Sequence, residues 1–410
     1  MSIGQPFTLG VNYWPRRKAM YWWKEFDAGE VAEEFAVIRE IGLDLVRIFL
    51  LWEDWQPTPD VVDTTGLHNL ERVCDIAADE GLKLDVTFFT GHMSGPNWIP
   101  SWLLRQGQPV PPGVRQVVSN GTVVNTGYVN PYTDPTAIEA GELLLNTVVH
   151  ALRDHPAVGM WNLGNEPDLV AHPPTPAQGS EWAARMRETI RTSDKSRPVT
   201  LGLHADSLVA DNGFRVDQIF EAMDMAVMHG YPMYMPWAKG PLDADFVPFL
   251  CALTTALCGK PTLMEEFGGC TTSPGQPSEV WHWTGYGQER EQFMAGEEAF
   301  AGYIAAVLPK LVEVGATGAL LWCYADYVPA LYDKPPCDES RHERFVGLVR
   351  PDGSLKPHAG VLRDFAATKP TVQPAVWTVE LDITADEYYA NPFHHAQRLY
   401  AKFLAEKVSA

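Results

Sequence analysis

The chain has 410 residues, 46% hydrophobic and 20% charged, proportions that exclude a disordered or fibrous chain. Its 31 basic and 52 acidic residues give a net charge of −21 without any basic stripe, which argues against a nucleic-acid partner and suits a neutral substrate. No run of about 18 apolar residues is present, so no membrane span is expected.

The opening MSIGQPFTLGVNYW lacks the charged start and long apolar core of a signal peptide. The six cysteines are scattered without C-x-x-C spacing and read as buried thiols, not as a zinc site or disulfide framework. A cytoplasmic location is the expectation.

In chain order, short apolar runs alternate with helical periodicity. Residues 8–13 (TLGVNY) read as a strand. Asp27 and Glu30 then form a capping-box pattern, followed by Val31, Phe35, Ile38 and Ile41 on one helix face. Strands follow at 44–51, 83–90, 157–163, 199–204, 226–230, 261–266 and 317–323, most of them near-continuous apolar runs of the kind parallel strands show. Helical patterns fit 66–80, 135–153, 177–193 and 288–314. At 243–258, Phe246, Phe249, Leu250, Leu253 and Leu257 make one stripe, which Gly259 and Pro261 end.

Eight βα units close most simply into a (β/α)8 barrel. An open doubly wound sheet would want a glycine-rich phosphate turn after the first strand, and GVNYWPRR offers none. The expected organisation is a catalytic barrel over 1–370 and a C-terminal extension over 371–410 that packs on it. Long Gly- and Pro-rich loops at 91–134, 267–287 and 324–346 all follow strand C-termini and crowd one face. The tail reads as an extended PAVWTVELDI and an amphipathic helix near 392–407.

The residues that end barrel strands point into the site. The fourth strand ends in WNLGNEP, with Asn165 and Glu166, and the seventh in LMEEFGG, with Glu265 and Glu266. Asn, Glu and Pro are also ordinary turn residues, and a pair of glutamates is also an ordinary solvated strand end. Two carboxylates from separate strand ends, however, are what cleavage of a glycosidic bond requires: one donates a proton to the leaving oxygen, the other attacks or activates water. Alternation puts Thr262, Met264 and Glu266 on one face and Leu263 and Glu265 on the other. With Leu263 against the helices, Glu266 faces the barrel mouth.

WNLGNEP and KPTLMEEFG resemble the two catalytic signatures of clan A glycoside hydrolases, most closely family 5. The resemblance covers roughly residues 8 to 366. It implies that Glu166 is the general acid/base and Glu266 the nucleophile, with Asn165 on the sugar 2-hydroxyl. It further implies supporting or sugar-binding roles for Arg47, His92, His229 and Tyr231, and for Trp322 as the floor of the sugar site. The large loops and the tail depart from the family pattern.

His204 and Asp206 raise the thought of a metal, but the first strand lacks the H-x-H pair a barrel metallohydrolase uses, so neither metal nor cofactor is expected. The 14 tryptophans are a second line of argument, because sugar rings stack their C–H faces on aromatic faces. Trp322, Trp14 and Trp283 are the chosen candidates, and Trp98, Trp102, Trp281 and Trp283 are candidate pocket-wall residues.

The expected activity is a retaining, exo-acting β-mannosidase on short β-1,4-linked manno-oligosaccharides or mannose-containing glycans. Its partner is an oligosaccharide, and a homo-oligomer stays open. The alternatives are an endo-β-1,4-mannanase or other β-glucanase on the same barrel, a catalytically inactive carbohydrate-binding barrel, and a barrel hydrolase of different chemistry.

Overall fold

Eight strands run parallel in one sheet: β1 (Thr8–Asn12), β2 (Leu45–Leu51), β3 (Lys83–Thr90), β4 (Val158–Asn165), β5 (Val199–Gly202), β6 (Ala226–Gly230), β7 (Thr262–Gly268) and β8 (Gly318–Trp322). They come from a computed structural model that describes residues 3–409; Met1, Ser2 and Ala410, at the ends of the two expected segments, lie outside the described residues. The spatial order is β5–β4–β3–β2–β1–β8–β7–β6. A single parallel bridge between His204 and His229 joins β5 to β6, with the His229 N–H donating to the Leu203 carbonyl at 2.9 Å, and this closes the ring.

Each strand is followed by a helix: α1 (Ala28–Ile41), α2 (Thr64–Asp79), α3 (Pro135–Leu152), α4 (Pro176–Arg191), α5 (Val216–Ala222), α6 (Phe246–Cys258), α7 (Glu297–Glu313) and α8 (Pro357–Ala367). The architecture is a (β/α)8 barrel. Branched side chains such as Val46, Ile48, Val86, Leu201, Val227, Leu263 and Leu320 are fully buried. Each such burial contributes about 1.5–3 kcal/mol against its exposed state.

The helix ends follow local chemistry. Asp27 accepts from the Gly29 and Glu30 N–H groups at 2.9 and 3.2 Å, and α1 stops at Gly42 with φ 90°. Glu30 does not complete the expected capping box. Its carboxylate turns instead to Lys18 and to the Arg17 N–H, which draws the loop after β1 onto α1.

One expected element is wrong. The helix proposed for 288–314 begins only at Glu297, and Gln288–Met294 is the second strand of a hairpin with Glu279–Gly285. The Tyr286–Gly287 turn explains this, because its residues have φ of 55° and 68°, as the twist of a two-residue hairpin demands. The hairpin stands over the C-terminal face of the barrel.

The C-terminal residues form α9 (Ala385–Ala390) and α10 (Pro392–Ser409) after an irregular stretch. Tyr388 and Tyr389 donate their hydroxyls to the Leu208 and Ser207 carbonyls at 2.6 and 2.8 Å, and Tyr400 donates to Asp243 Oδ2 at 2.6 Å. No helix of the described residues is long and apolar enough to cross a membrane.

Candidate active site

A cavity of about 440 Å³ opens at the C-terminal face of the barrel. Among its lining residues are His92, Asn165, Glu166, His229, Tyr231, Glu266, Trp283 and Trp322, which come from five strand ends and the hairpin. Sequences far apart converge here because every β-strand in the barrel runs the same way.

Glu166 follows β4 in a left-handed conformation with φ 46° and ψ 60°. A non-glycine residue held there is strained, and the surroundings hold it: its N–H donates to the Gly202 carbonyl at 2.9 Å, and Pro167 opens a short helical turn. The NEP sequence is therefore more than a surface turn, since it aims a carboxyl into the cavity.

On β7 the simple alternation fails. Pairing with β8 shifts register between Met264 and Phe267, and pairing of β6 with β7 shifts between Met228 and His229. Such a bulge sends two consecutive side chains to one side. Glu265 therefore lies inside the barrel and does not face the helix layer, which corrects the alternation argument. Glu265 is fully buried, with Asn162 Nδ2 donating to Oε1 at 3.0 Å and His229 Nε2 at 3.0 Å from Oε2.

Arg47 lies beneath both glutamates with no exposure. It reaches Glu266 Oε1 at 2.5 Å and Glu265 Oε2 at 3.3 Å, and it donates to Thr87, Asn12 and Asn165 at 2.9, 3.2 and 3.1 Å. Gly202 makes this packing possible, because a Cβ there would meet Arg47 Nη2 and the Gly164 carbonyl at 2.7 Å each. Tyr231 donates to Glu266 Oε2 at 2.7 Å, and His229 Nδ1 lies 3.0 Å from Glu166 Oε1. One polar side-chain atom from each of Glu166, His229 and Glu266 lies within 4.8 Å of the others.

Burial pushes Glu266 up, and although His229 and Arg47 oppose this, its carboxyl stays above the ordinary range. Burial would also raise Glu166, but His204 and His229 outweigh it and hold that carboxyl low. The carboxylates around the two histidines overcome their own desolvation. His204 is pushed up to about 10 by Asp168 and Glu166, and His229 to about 9 by Glu266 and Glu166. Burial lowers His92, whose Nδ1 pairs with Asn97 Oδ1 at 2.7 Å.

Trp14 is not at the cavity. It is fully buried and stacks on Phe49 with ring centroids 5.0 Å apart and planes 8° apart. The same Phe49 carries the Arg47 guanidinium at 4.6 Å and meets Trp322 edge-on at 6.0 Å. Trp14 thus supports the ring beneath the site and cannot touch a ligand there. Trp98 and Trp102 are likewise absorbed by packing against Tyr21 and Trp52, and Trp281 packs on Phe345. Of the four wall candidates, Trp283 lines the cavity, with its indole N–H on the Glu339 carbonyl at 2.7 Å.

The sequence reading missed Asn12, Asp85 and Asn162. Each is a polar residue flanked on both sides by large apolar ones, which was the available signal. It also missed the pairing of His204 Nε2 with Asp168 Oδ1 and Oδ2 at 3.0 and 2.8 Å beside Glu166.

Residues 112–286 match the family model "Glycosyl hydrolases family 2, TIM barrel domain". No curated protein sequence matches the chain. Among solved structures, an exo-β-1,4-mannosidase from Opitutaceae bacterium strain TAV5 is 27% identical at a TM-score of 0.72, with 88% of this chain covered. The chain spans 59% of that protein's length. A GH5_18 protein from Streptomyces cattleya in complex with GlcNAc is 20% identical, covers 100% of this chain and 92% of its own, and has a TM-score of 0.79. A GH5_18 variant from Bifidobacterium longum subsp. longum in complex with Manβ1-4GlcNAc is 21% identical, covers 90% and 80%, and has a TM-score of 0.72.

Proposed function

We propose that this chain, a family 5-like barrel of glycoside hydrolase clan A, is a retaining β-mannosidase that works from the non-reducing end of short manno-oligosaccharides or mannose-containing glycans. The observation that carries the reading is the pairing of Glu166 and Glu266 across one cavity, with one carboxylate oxygen of each within 4.8 Å of the other. Retaining enzymes hold their two carboxyl groups about 5–5.5 Å apart, too close for an intervening water.

In the proposed first step Glu266 attacks the anomeric carbon, and the bond to the leaving oxygen breaks as Glu166 gives it a proton. In the second, water attacks that carbon, passes its proton to Glu166 and releases Glu266. The acid's proton has a nearby source: His229, whose neighbouring carboxylates raise it to about 9, faces Glu166 across 3.0 Å, and moving its proton along that contact gives the protonated Glu166 the step requires. Arg47 and Tyr231 hold Glu266 in position for attack.

Chain-end action is supported by a wall that bounds the cavity. Tyr286 of the hairpin turn shares a hydrogen bond with Ser340 at 2.9 Å, and its N–H donates to Glu339 Oε2 at 2.6 Å. Ser94, from the loop after β3, donates to Glu343 at 3.1 Å. Three loops are thus stitched together. The mannosidase and the mannose-containing complex among the similar structures support the choice of sugar. The six cysteines are free thiols, which fits a reducing, cytoplasmic setting.

The test is a panel of 4-nitrophenyl β-glycosides, followed by product analysis on mannohexaose and dyed galactomannan. Mannose released one unit at a time with the polymer intact is the expected result. Early mannobiose and mannotriose with falling viscosity would mean an endo-mannanase.

A further inference from the structure

The wall of the cavity holds an ionisable group that the double displacement does not use. Glu343 sits on a short helical turn, Arg341–Phe345, in the loop after β8. Its side chain is 12% exposed and lines the cavity together with Ser94, Trp322 and His342. Ser94 Oγ donates to Oε2 at 3.1 Å, His342 Nε2 lies 3.4 Å from Oε1, and Trp322 lines the same cavity and favours the charged carboxylate. Burial opposes its charge, yet these donors outweigh burial and hold the carboxyl below its ordinary range.

An ionised carboxylate is an acceptor with two oxygens and about four lone-pair positions, so Ser94 and His342 still leave it room for more. In the wall of a pocket for a neutral polyol, it suits two neighbouring hydroxyls. Its place decides which ones. Glu166 and Glu266 mark where the anomeric carbon reacts, and Trp322 and Glu343 line the same cavity with them. On a sugar seated at Trp322, the ring edge remote from the anomeric carbon carries the 3- and 4-hydroxyls. A chain that continued past that edge would have to pass through the wall. Resting on the chain-end reading above, we infer that Glu343 recognises the 3- and 4-hydroxyls of the terminal sugar and thereby sets both glycon specificity and exo action.

The experiment compares wild type, E343Q and E343A on 4-nitrophenyl β-D-mannoside and its 3-deoxy and 4-deoxy analogues. In wild type, removal of at least one of these hydroxyls should lower kcat/KM about 10- to 100-fold. E343A should lose a similar factor on the parent substrate, mostly in KM, and should no longer distinguish parent from deoxy analogue. E343Q keeps an oxygen for Ser94 and should show a reduced ratio, so it carries the test should E343A unfold. Variants that discriminate as sharply as wild type overturn the inference. A wild type that cleaves a β-glucoside but no β-mannoside sinks the mannose reading alone, and the deoxyglucosides then decide Glu343. A wild type inert on every β-glycoside overturns both.

Discussion

Glu166 and Glu266 are each defined by what surrounds them. Glu266→Ala should lower kcat by about 10³-fold or more, while azide should restore turnover of an activated aryl glycoside to Glu166→Ala. Substantial activity in Glu266→Ala would remove the proposed nucleophile. Arg47 is a different case, because it neutralises two buried carboxylates at once. Arg47→Ala should cost about 3–5 kcal/mol of stability, read as a lower urea midpoint, because it strands those charges. His229 gives a pH prediction. Its pKa in the folded chain is raised to about 9 from an ordinary 6.5, so its contribution is complete below 6.5 and is lost as pH rises through about 9. The melting temperature should therefore decline across that window, and less steeply in His229→Gln. Equal slopes would contradict the assignment.

The hairpin of Glu279–Gly285 and Gln288–Met294 is the element that turns a barrel mouth into a walled cavity. Its contact with the loop after β3 passes through Gly95, which has φ 116°, and where a Cβ would meet Ser340 Oγ at 2.6 Å and Tyr286 Oη at 2.7 Å. No other residue fits both the angle and the gap. Gly95→Ala should loosen the wall without emptying the core. The expected result is a KM raised about 10-fold on mannosides with kcat little changed, since remote binding is lost and the reacting groups are untouched. A drop confined to kcat would mean that the wall acts on the chemistry.

At the scale of the molecule, α9 and α10 reach the site indirectly. Tyr388 and Tyr389 hold the carbonyls of Leu208 and Ser207, directly after the His204–Asp206 segment that lines the cavity. Trp377 stacks on Phe403 at 3.7 Å, and Phe403 packs in turn on Phe249 of α6 at 5.5 Å. Ending the chain at residue 370 should therefore lower both the melting temperature and kcat/KM. Full activity in a stable truncated chain would show the segment to be dispensable. Stereochemistry is a property of the whole arrangement as well. Proton NMR of a β-mannoside digest should show the β-anomer of mannose first, and the α-anomer first would mean inversion.

The order of strands and helices was legible in the sequence, because apolar runs and helical stripes are local patterns that burial enforces. So were Glu166 and Glu266, since NEP and EFG sit at predicted strand ends. Three things were not legible. The hairpin was hidden because charged residues at 288–294 mimic helical periodicity and the Tyr286–Gly287 turn is a subtle signal. The inward turn of Glu265 depends on a register shift between neighbouring strands, which a single strand does not encode. Trp14 looked like a sugar platform because tryptophan at a strand end serves either purpose, and only the stack with Phe49 and Arg47 assigns it to the core. Sequence alone determined which residue types arrive at the barrel mouth, because strand ends follow from local periodicity. Which of them face the cavity, and which charges compensate one another there, was decided by tertiary structure, because those are contacts between residues as far apart as Arg47 and Glu266.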